Sequence, residues 1–451
     1  APPAAPRALV PLLLLAIPLV CAAAGTLAES RAAAWAARHA GAGVRLTGVA
    51  VSAVPGGGPG RGLGVVATAD VEEGDAYIEV PWPLVLGPHS ASPELAKVLQ
   101  ALTAELGEDR TMAGVLCLLH ERYAVGEVSR WHEWLESLPR SHDAPLHWSP
   151  PELRELEGSL MLDRAVEEAV RVSAAHRGIT RRVFDHYPEL FPPAARTGEA
   201  FRWAWGVWHS RASHVEGLGA VLVPLADFVN DAAGGEEGDG GEPEGGLGFV
   251  EYDPRKDAAV VFAKRDVQAG DEVREAYGEA LLLPDVLQAG GYLPEGSGRD
   301  CVLLRLEPPA WTEALAAAGL ERGKPSFEAC LPARPGDTAK VAALAKAAGA
   351  HNEGLEQPGP GEDATPEVVA AAQRWLRAHV ANRTAGYPTT QEEDEALLEL
   401  AAMGEAAGEE GASLARVRLA TEFRRREKAC LAEIEATLAR ALEAPDEEEE
   451  E

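Results

Sequence analysis

Gly62-Leu63-Gly64, with Ala67 after it, has the spacing of a G-x-G-x-x-A loop, where bare backbone lets the pyrophosphate of a dinucleotide come close. That chemistry needs a helix directly after the loop to hold the anion. Instead the chain runs on through Asp70-Val71-Glu72-Glu73-Gly74-Asp75, a turn, so the dinucleotide reading fails. No H-E-x-x-H, G-x-S-x-G or Walker A sequence is present, and the 12 histidines never fall at ligand spacing. The five cysteines, Cys21, Cys117, Cys301, Cys330 and Cys430, form no C-x-x-C pair, so no metal is expected. Disulfides among the last four stay open, and their pairing cannot be deduced from spacing. Asp227 and Asn230, three apart after an apolar run, make by themselves an Asx turn. Tyr277 before Gly278 is by itself a strand tyrosine.

The elements that must position these residues read in three stretches. A chain of 451 residues implies two or three domains with a sizeable core. Short β-like runs at Val44 to Val54, Gly64 to Ala67 and Ala76 to Val80 are broken by turn clusters. From Ser92 to Ala212 the apolar period becomes helical, as at Trp131, Trp134, Leu135 and Leu138. Strand character returns at Ala220 to Phe228, Gly248 to Tyr252 and Ala258 to Ala263, with an acidic glycine-rich loop at Gly234 to Gly246. The class is therefore α+β, a β-rich domain split around a helical insert at about 92–212. Beyond Pro294 the pattern is mostly helical: Thr365-Pro366 starts one helix, Thr390 and Glu393 form a capping box, and a last helix begins near Ser413.

The net charge of −31 repels phosphate backbones and argues against a nucleic-acid partner. The dense basic run Arg424, Arg425, Arg426 and Lys428 reads as a solvated helix face, and residues 444–451 are an acidic tail. Arg7, the apolar run Leu9 to Val20 and the small residues Ala22 to Gly25 have the order of a secretory signal, which makes residues 1–28 a targeting segment. An organelle lumen or the secretory pathway is the address this implies, with chloroplast import as the alternative. The run is short for a membrane span, so no stable insertion is expected beyond an N-terminal anchor.

Several motifs agree in order and context. The stretch GRGLGVVATADVEEGDAYIEVPWPLVL (Gly60 to Leu86) resembles the opening of a SET domain. SRWHEWLESLPRSHDAPLHWSPPELRELEGS (Ser129 to Ser159) resembles the helical insert of the Rubisco large-subunit lysine methyltransferase group of SET proteins. FRWAWGVWHSRA (Phe201 to Ala212), VPLADFVND (Val223 to Asp231) and GDEVREAYGEALLLPDVLQAGGYLP (Gly270 to Pro294) look like its S-R, D-x-x-N-H and S-Y-G motifs. YPTTQEEDEALL (Tyr387 to Leu398) with the final helix is similar to its substrate-binding domain. The resemblance runs from about residue 43 to residue 443 and implies a SET domain at 43–295 followed by an all-α substrate-binding domain at 296–443.

By that resemblance the chain is an S-adenosylmethionine-dependent protein methyltransferase, acting on lysine or alternatively histidine, and a monomer whose partner is a protein substrate. Gly62, Leu63 and Gly64 would bring backbone to the cofactor, and Arg211 would fork onto its carboxylate. Asp227, Asn230, Asp231 and Gly278 would complete the cofactor site, Tyr277 would be the catalytic tyrosine, and Tyr292 would wall the substrate channel. Two departures keep a rival open. The family's Asn-His pair reads Asn230-Asp231, and its Ser-Tyr-Gly reads Ala276-Tyr277-Gly278, so a non-catalytic homologue with a decayed cofactor site that serves as a binding module is the alternative. Asp231 has no evident partner in the sequence, and on this view Asp231→His restores a lost contact and tightens cofactor binding.

Overall fold

The computed structural model describes residues 17–54, 62–106, 110–232, 249–278, 281–294, 296, 298–307, 313–320, 326–332, 335–356, 359, 363–406 and 412–443. The glycine-rich loop at 234–246, the acidic tail and the first part of the targeting segment lie outside them. The chain divides into two compact units: Ala1–His142 with Val172–Glu279 and Ala402–Ala412, and Asp143–Arg171 with Ala280–Ala401 and Ser413–Glu451.

Among the described residues the first unit holds ten short strands: Arg45–Leu46 (β1), Val49–Ala53 (β2), Leu63–Ala67 (β3), Ala76–Pro81 (β4), Ser213–Val215 (β5), Gly219–Val221 (β6), Asn230–Asp231 (β7), Val250–Asp253 (β8), Ala258–Phe262 (β9) and Glu272–Glu275 (β10). One sheet has the order β1-β4-β9-β8, a second β2-β3-β10-β7, and β5 pairs with β6. Every pairing is antiparallel except that of β7 with β10, where Asn230 faces Arg274 and Asp231 faces Glu275. The strand expected over Ala220 to Phe228 stops at Val221: Leu225 turns to φ +74, a conformation a leucine adopts only under constraint, and Ala226–Phe228 form a 3-10 turn.

The helical insert supplies the walls. Its helix Gly198–Arg211 opens with Thr197, whose hydroxyl accepts the Ala200 N–H at 3.0 Å, and buries Phe201, Trp203, Trp205 and Trp208. Its wide apolar face belongs against the core, while Glu199, Arg202 and His209 stay exposed on the other side. Gly114, on the helix Arg110–Leu119, lets Trp208 in, because an added Cβ would meet its ring at 2.1 Å. The helix Ile17–His39 starts within the apolar leader, and its far end is integral to the unit: Ala32 and Trp35 are buried, and Trp35 Nε1 donates to the Arg130 carbonyl at 2.8 Å.

Among the described residues the regular structure of the second unit is helical apart from one hairpin, Val302–Leu306 (β11) with Phe327–Leu331 (β12). The sequence suggests only helix here, since a run such as VLLRL is too short for its period to decide between helix and strand. A Cys301–Cys330 disulfide joins the two strands, while Cys117 and Cys430 are free and buried. Residues 280–294 read as part of the strand domain in the sequence. In the structure the helix Leu283–Gly290 packs Leu283 and Leu287 among Trp148, Leu156, Met161 and Phe423 of the helical unit.

The basic run is not a solvated face. Arg424, Arg426 and Lys428, on the helix Ala412–Glu443, are all buried. Arg424 Nη2 and Lys428 Nζ bind the two oxygens of buried Asp394 at 2.8 and 2.7 Å, and Arg426 Nε binds Asp300 at 2.7 Å. Only Arg425 keeps partial exposure, paired with Glu422.

Candidate active site

Arg211 ends its helix in the last turn, where a cation is favoured by the helix dipole. Its Nη1 donates to the Asp227 carbonyl at 2.7 Å and lies 3.2 Å from Asp227 Oδ2. Among the described residues Nη2 and Nε carry no hydrogen bond, and the side chain is about one-fifth exposed (22%). Asp227 is the anchor of this arrangement: its side chain is fully buried, and its Oδ1 accepts Trp134 Nε1 at 3.0 Å. Burial pushes the Asp227 carboxyl up, against the pull of Arg211 and Trp134. With both oxygens engaged, Asp227 acts as support for Arg211 rather than as a direct ligand holder.

Asn230 ties the second sheet together across the site. Its Nδ2 donates to Glu272 Oε1 at 2.7 Å and to the Leu63 carbonyl at 3.3 Å. Gly64 is held to glycine by this junction, since a Cβ there would meet Glu272 Oε1 at 2.7 Å and Asn230 Nδ2 at 3.0 Å. Gly62 differs: it takes φ +63, and among the described residues nothing lies within 4 Å of where its Cβ would be. The loop thus offers open backbone at Gly62 and a locked strand from Leu63 onward.

Asp231 has a partner that the sequence conceals. Its Oδ1 accepts the backbone N–H of Tyr277 at 3.1 Å. A histidine at this position would put an imidazole in place of that carboxylate, and the sequence-based view of Asp231 as an unpartnered charge is corrected. The Tyr277 hydroxyl donates to the Val229 carbonyl at 2.7 Å, and its ring stacks on Phe249 at 6.0 Å. Burial, reinforced by Asp231, Asp227 and Glu272 and opposed by Arg211, drives its pKa far above the ordinary value. Tyr277 is therefore a neutral hydroxyl at physiological pH; its proton points at Val229, and its oxygen lone pairs are what it can present to a ligand.

The structure thus brings together Leu63, Gly64, Asn230 and Glu272, links Arg211 with Asp227, and links Asp231 with Tyr277, all within the first unit. Gly278 comes directly after Tyr277 in the same strand exit. Tyr292 lies in the second unit, half-buried, its ring beside Gly290. Trp134, Glu272, Val229 and Phe249 were not legible as site residues. Trp134 is visible in the sequence only as one position of a helical apolar period, and Glu272 bonds to a residue 42 positions away. Among the described residues no group of His, Cys, Asp or Glu could hold a metal ion.

No protein-family model matches the chain. It is 29% identical over 253 residues to the chloroplastic ribulose-1,5-bisphosphate carboxylase/oxygenase large subunit N-methyltransferase of Pisum sativum, covering 55% of this chain and 49% of that protein. It is 27% identical over 253 residues to the chloroplastic [fructose-bisphosphate aldolase]-lysine N-methyltransferase of Arabidopsis thaliana (55% and 50%), and 23% identical to the actin-histidine N-methyltransferase of Mus musculus (54% and 40%). The chain spans about half the length of the plant relatives it matches. Among solved structures it is similar to Rubisco LSMT bound to AdoMet, with TM-score 0.69, 23% identity and coverage of 92% of each chain. The SET domain of LSMT bound to MeLysine and AdoHcy gives TM-score 0.70, 24% identity and coverage of 91% and 92%. The relatives are Rubisco LSMT-like SET-domain methyltransferases, and the fold of this chain is that of the LSMT SET structures.

Proposed function

We propose that this protein transfers the methyl group of S-adenosylmethionine to a side-chain nitrogen of a protein substrate, lysine in the first place. The observation that carries the reading is the pairing of β7 with β10, which sets Asn230 beside Leu63 and lets Asp231 hold the backbone of Tyr277 just beyond β10. The residues present fit the cofactor. Among the described residues nothing fills the space where a Gly62 Cβ would stand, and Arg211 keeps Nη2 and Nε for a carboxylate fork while Asp227 and Trp134 hold its orientation. S-adenosylmethionine supplies an electrophilic methyl on a sulfonium.

The chain's own residues then have two tasks, to deliver a neutral amine and to aim its lone pair. A free lysine near pKa 10.4 gives up its proton at pH about 7.4 at a cost of about 4 kcal/mol, and an apolar channel lowers that cost. Phe249 against the Tyr277 ring supplies apolar wall. Tyr277 does not take the proton, because its phenol is neutral and stays so; it orients through its oxygen lone pairs, and catalysis is by positioning and desolvation. Tyr292 as an aromatic channel wall is proposed by resemblance alone. Histidine is the second acceptor, favoured by the similarity to the actin-histidine enzyme.

The site geometry argues against decay, since Asp231 is engaged with Tyr277 rather than left over from a lost histidine. The plant relatives are named as chloroplastic, and we take the chloroplast as the address of this protein too; the secretory route that the apolar run suggests has no support among them. Among the described residues no helix is long and apolar enough to cross a membrane. Incubating the protein with tritiated S-adenosylmethionine and plastid stromal proteins tests the activity. Label on a protein band, mapped to lysine, supports it; label absent with wild type and present with a plant relative run in parallel rejects it.

A further inference from the structure

Near Tyr277 the two four-stranded sheets of the first unit are joined by a pair of buried polar side chains. The hydroxyl of Tyr77, on β4 of one sheet, donates to Glu275 Oε1, on β10 of the other, at 3.2 Å. Tyr77 is 0% and Glu275 4% exposed, so water cannot replace either partner if the bond is lost. Glu275 lies two residues before Tyr277. It sits opposite Asp231 in the β7–β10 register, and its carbonyl accepts the Ala232 N–H at 3.0 Å. The segment Glu275 to Tyr277 is thus fixed on one side by β7, through Ala232 and Asp231, and on the other by Tyr77. An apolar pair would fill the same space without burying a carboxylate, so packing alone does not explain Glu275.

We infer that the Tyr77–Glu275 pair is a positioning clamp that sets where β10 delivers Tyr277; it rests on the methyltransferase reading only for what Tyr277 then does. The groups facing Glu275 are Tyr77 on β4, the backbone N–H of Lys264 and the charges of Lys264 and Arg265 after β9, and Asp231 across the register. Burial outweighs the stabilising groups and pushes Glu275 up to about 6, from an ordinary value of 4.5. Between those values the folded protein keeps a proton that the unfolded chain has released. The contribution of Glu275 to stability is therefore greatest below the ordinary value and is lost as pH rises through about 6. Ionised Glu275 still accepts from Tyr77, in a charge-assisted and shorter bond, so the clamp tightens locally while global stability declines.

The test uses the full chain labelled with 15N-tyrosine, whose seven tyrosine amides include that of Tyr277, assigned through Tyr277→Phe. At about pH 7.5, Glu275→Leu and Tyr77→Phe should each speed exchange of the Tyr277 amide about tenfold, the worth of one hydrogen bond, and lower kcat without changing the cofactor dissociation constant. Glu275→Gln keeps an acceptor for Tyr77 and should stay within about twofold of wild type in exchange, while losing the decline in melting temperature between about pH 5 and 7. If Glu275→Leu fails to fold, Tyr77→Phe, which removes one oxygen, decides. Tyr277 exchange unchanged in these variants, or accelerated equally at all tyrosine amides, would overturn the clamp. Wild type that binds no S-adenosylmethionine would sink the methyltransferase reading instead and leave the amide measurement to judge the clamp by itself.

Discussion

Arg211 is oriented before any ligand arrives, because Asp227 binds it through both the main-chain carbonyl and Oδ2 while Trp134 holds the other carboxylate oxygen. Removing the guanidinium should weaken the binding of a carboxylate ligand and also cost stability, because buried Asp227 loses its cation: Arg211→Ala is expected to weaken S-adenosylmethionine binding by about 1.5 to 3 kcal/mol, measured by calorimetry. Affinity unchanged within error would take Arg211 out of the site. Tyr277→Phe keeps the ring on Phe249 and deletes only the hydroxyl, so cofactor affinity should hold while turnover falls, as single-turnover kinetics will show. Asp231→His is expected to lower activity, because it exchanges the carboxylate oxygen that accepts the Tyr277 N–H for a differently placed ring nitrogen; Asp231→Asn, which keeps an oxygen in the same place, should be milder. A histidine variant that binds the cofactor more tightly than wild type would restore the opposite view. At this scale the sequence supplied residue types and spacing, and of the residues it singled out the structure pairs Arg211 with Asp227 and Asp231 with Tyr277. It could not supply the direction of each bond. Asp231 meets Tyr277 across a parallel pairing, 46 residues away along the chain, and nothing local in Asn230-Asp231 announces it.

The elements explain why these residues hold still. The helix that ends at Arg211 is seated by Trp208 over Gly114, where an added methyl would stand 2.1 Å from the indole. Gly114→Ala is predicted to destabilise the first unit by about 1 to 3 kcal/mol through overpacking and to weaken cofactor binding with it; a thermal melt alongside calorimetry would show both shifts or neither. In the second unit, Asp394 pairs with both Arg424 and Lys428 inside the core, and Glu155 supplies a second carboxylate to Arg424. Burial alone would push the Asp394 carboxyl up, but Arg424, Lys428 and Thr389 outweigh it and hold it below the ordinary value. Its stability contribution is present above the unfolded pKa and is lost as pH falls through the folded one. Asp394→Ala should cost about 3 to 5 kcal/mol by stranding two buried cations, and should flatten the acid limb of the melting profile. Helix starts were legible because their caps are local: Glu393 N–H to Thr390 Oγ1 at 3.2 Å and the reciprocal bond at 2.8 Å are the capping box the sequence shows. The burial of Arg424, Arg426 and Lys428 was not legible, because their partners Asp394 and Asp300 lie in other segments. The β11–β12 hairpin was missed because five-residue apolar runs carry no decisive period.

At the scale of the whole chain, the split of the strand domain around a helical insert was readable from the change of apolar period and from motif order, and the fold matches the LSMT SET structures over 92% of the chain. The chain carries a net charge of −31, and among the described residues the buried basic side chains Arg424, Arg426 and Lys428 are paired with acids, so on the proposed function a basic segment of a protein substrate would be drawn by the overall negative field. Raising ionic strength should therefore raise KM for a basic protein substrate while leaving the affinity for the cofactor nearly unchanged, as initial rates at low and high salt would reveal. The central claim is that the Arg211, Asn230 and Tyr277 frame is a working cofactor site, and calorimetric titration of the protein with S-adenosylmethionine tests it most directly. Saturable one-to-one binding, weakened in Arg211→Ala, is the predicted result; no heat at about 1 mM ligand, where an affinity of only about 4 kcal/mol would register, would contradict it.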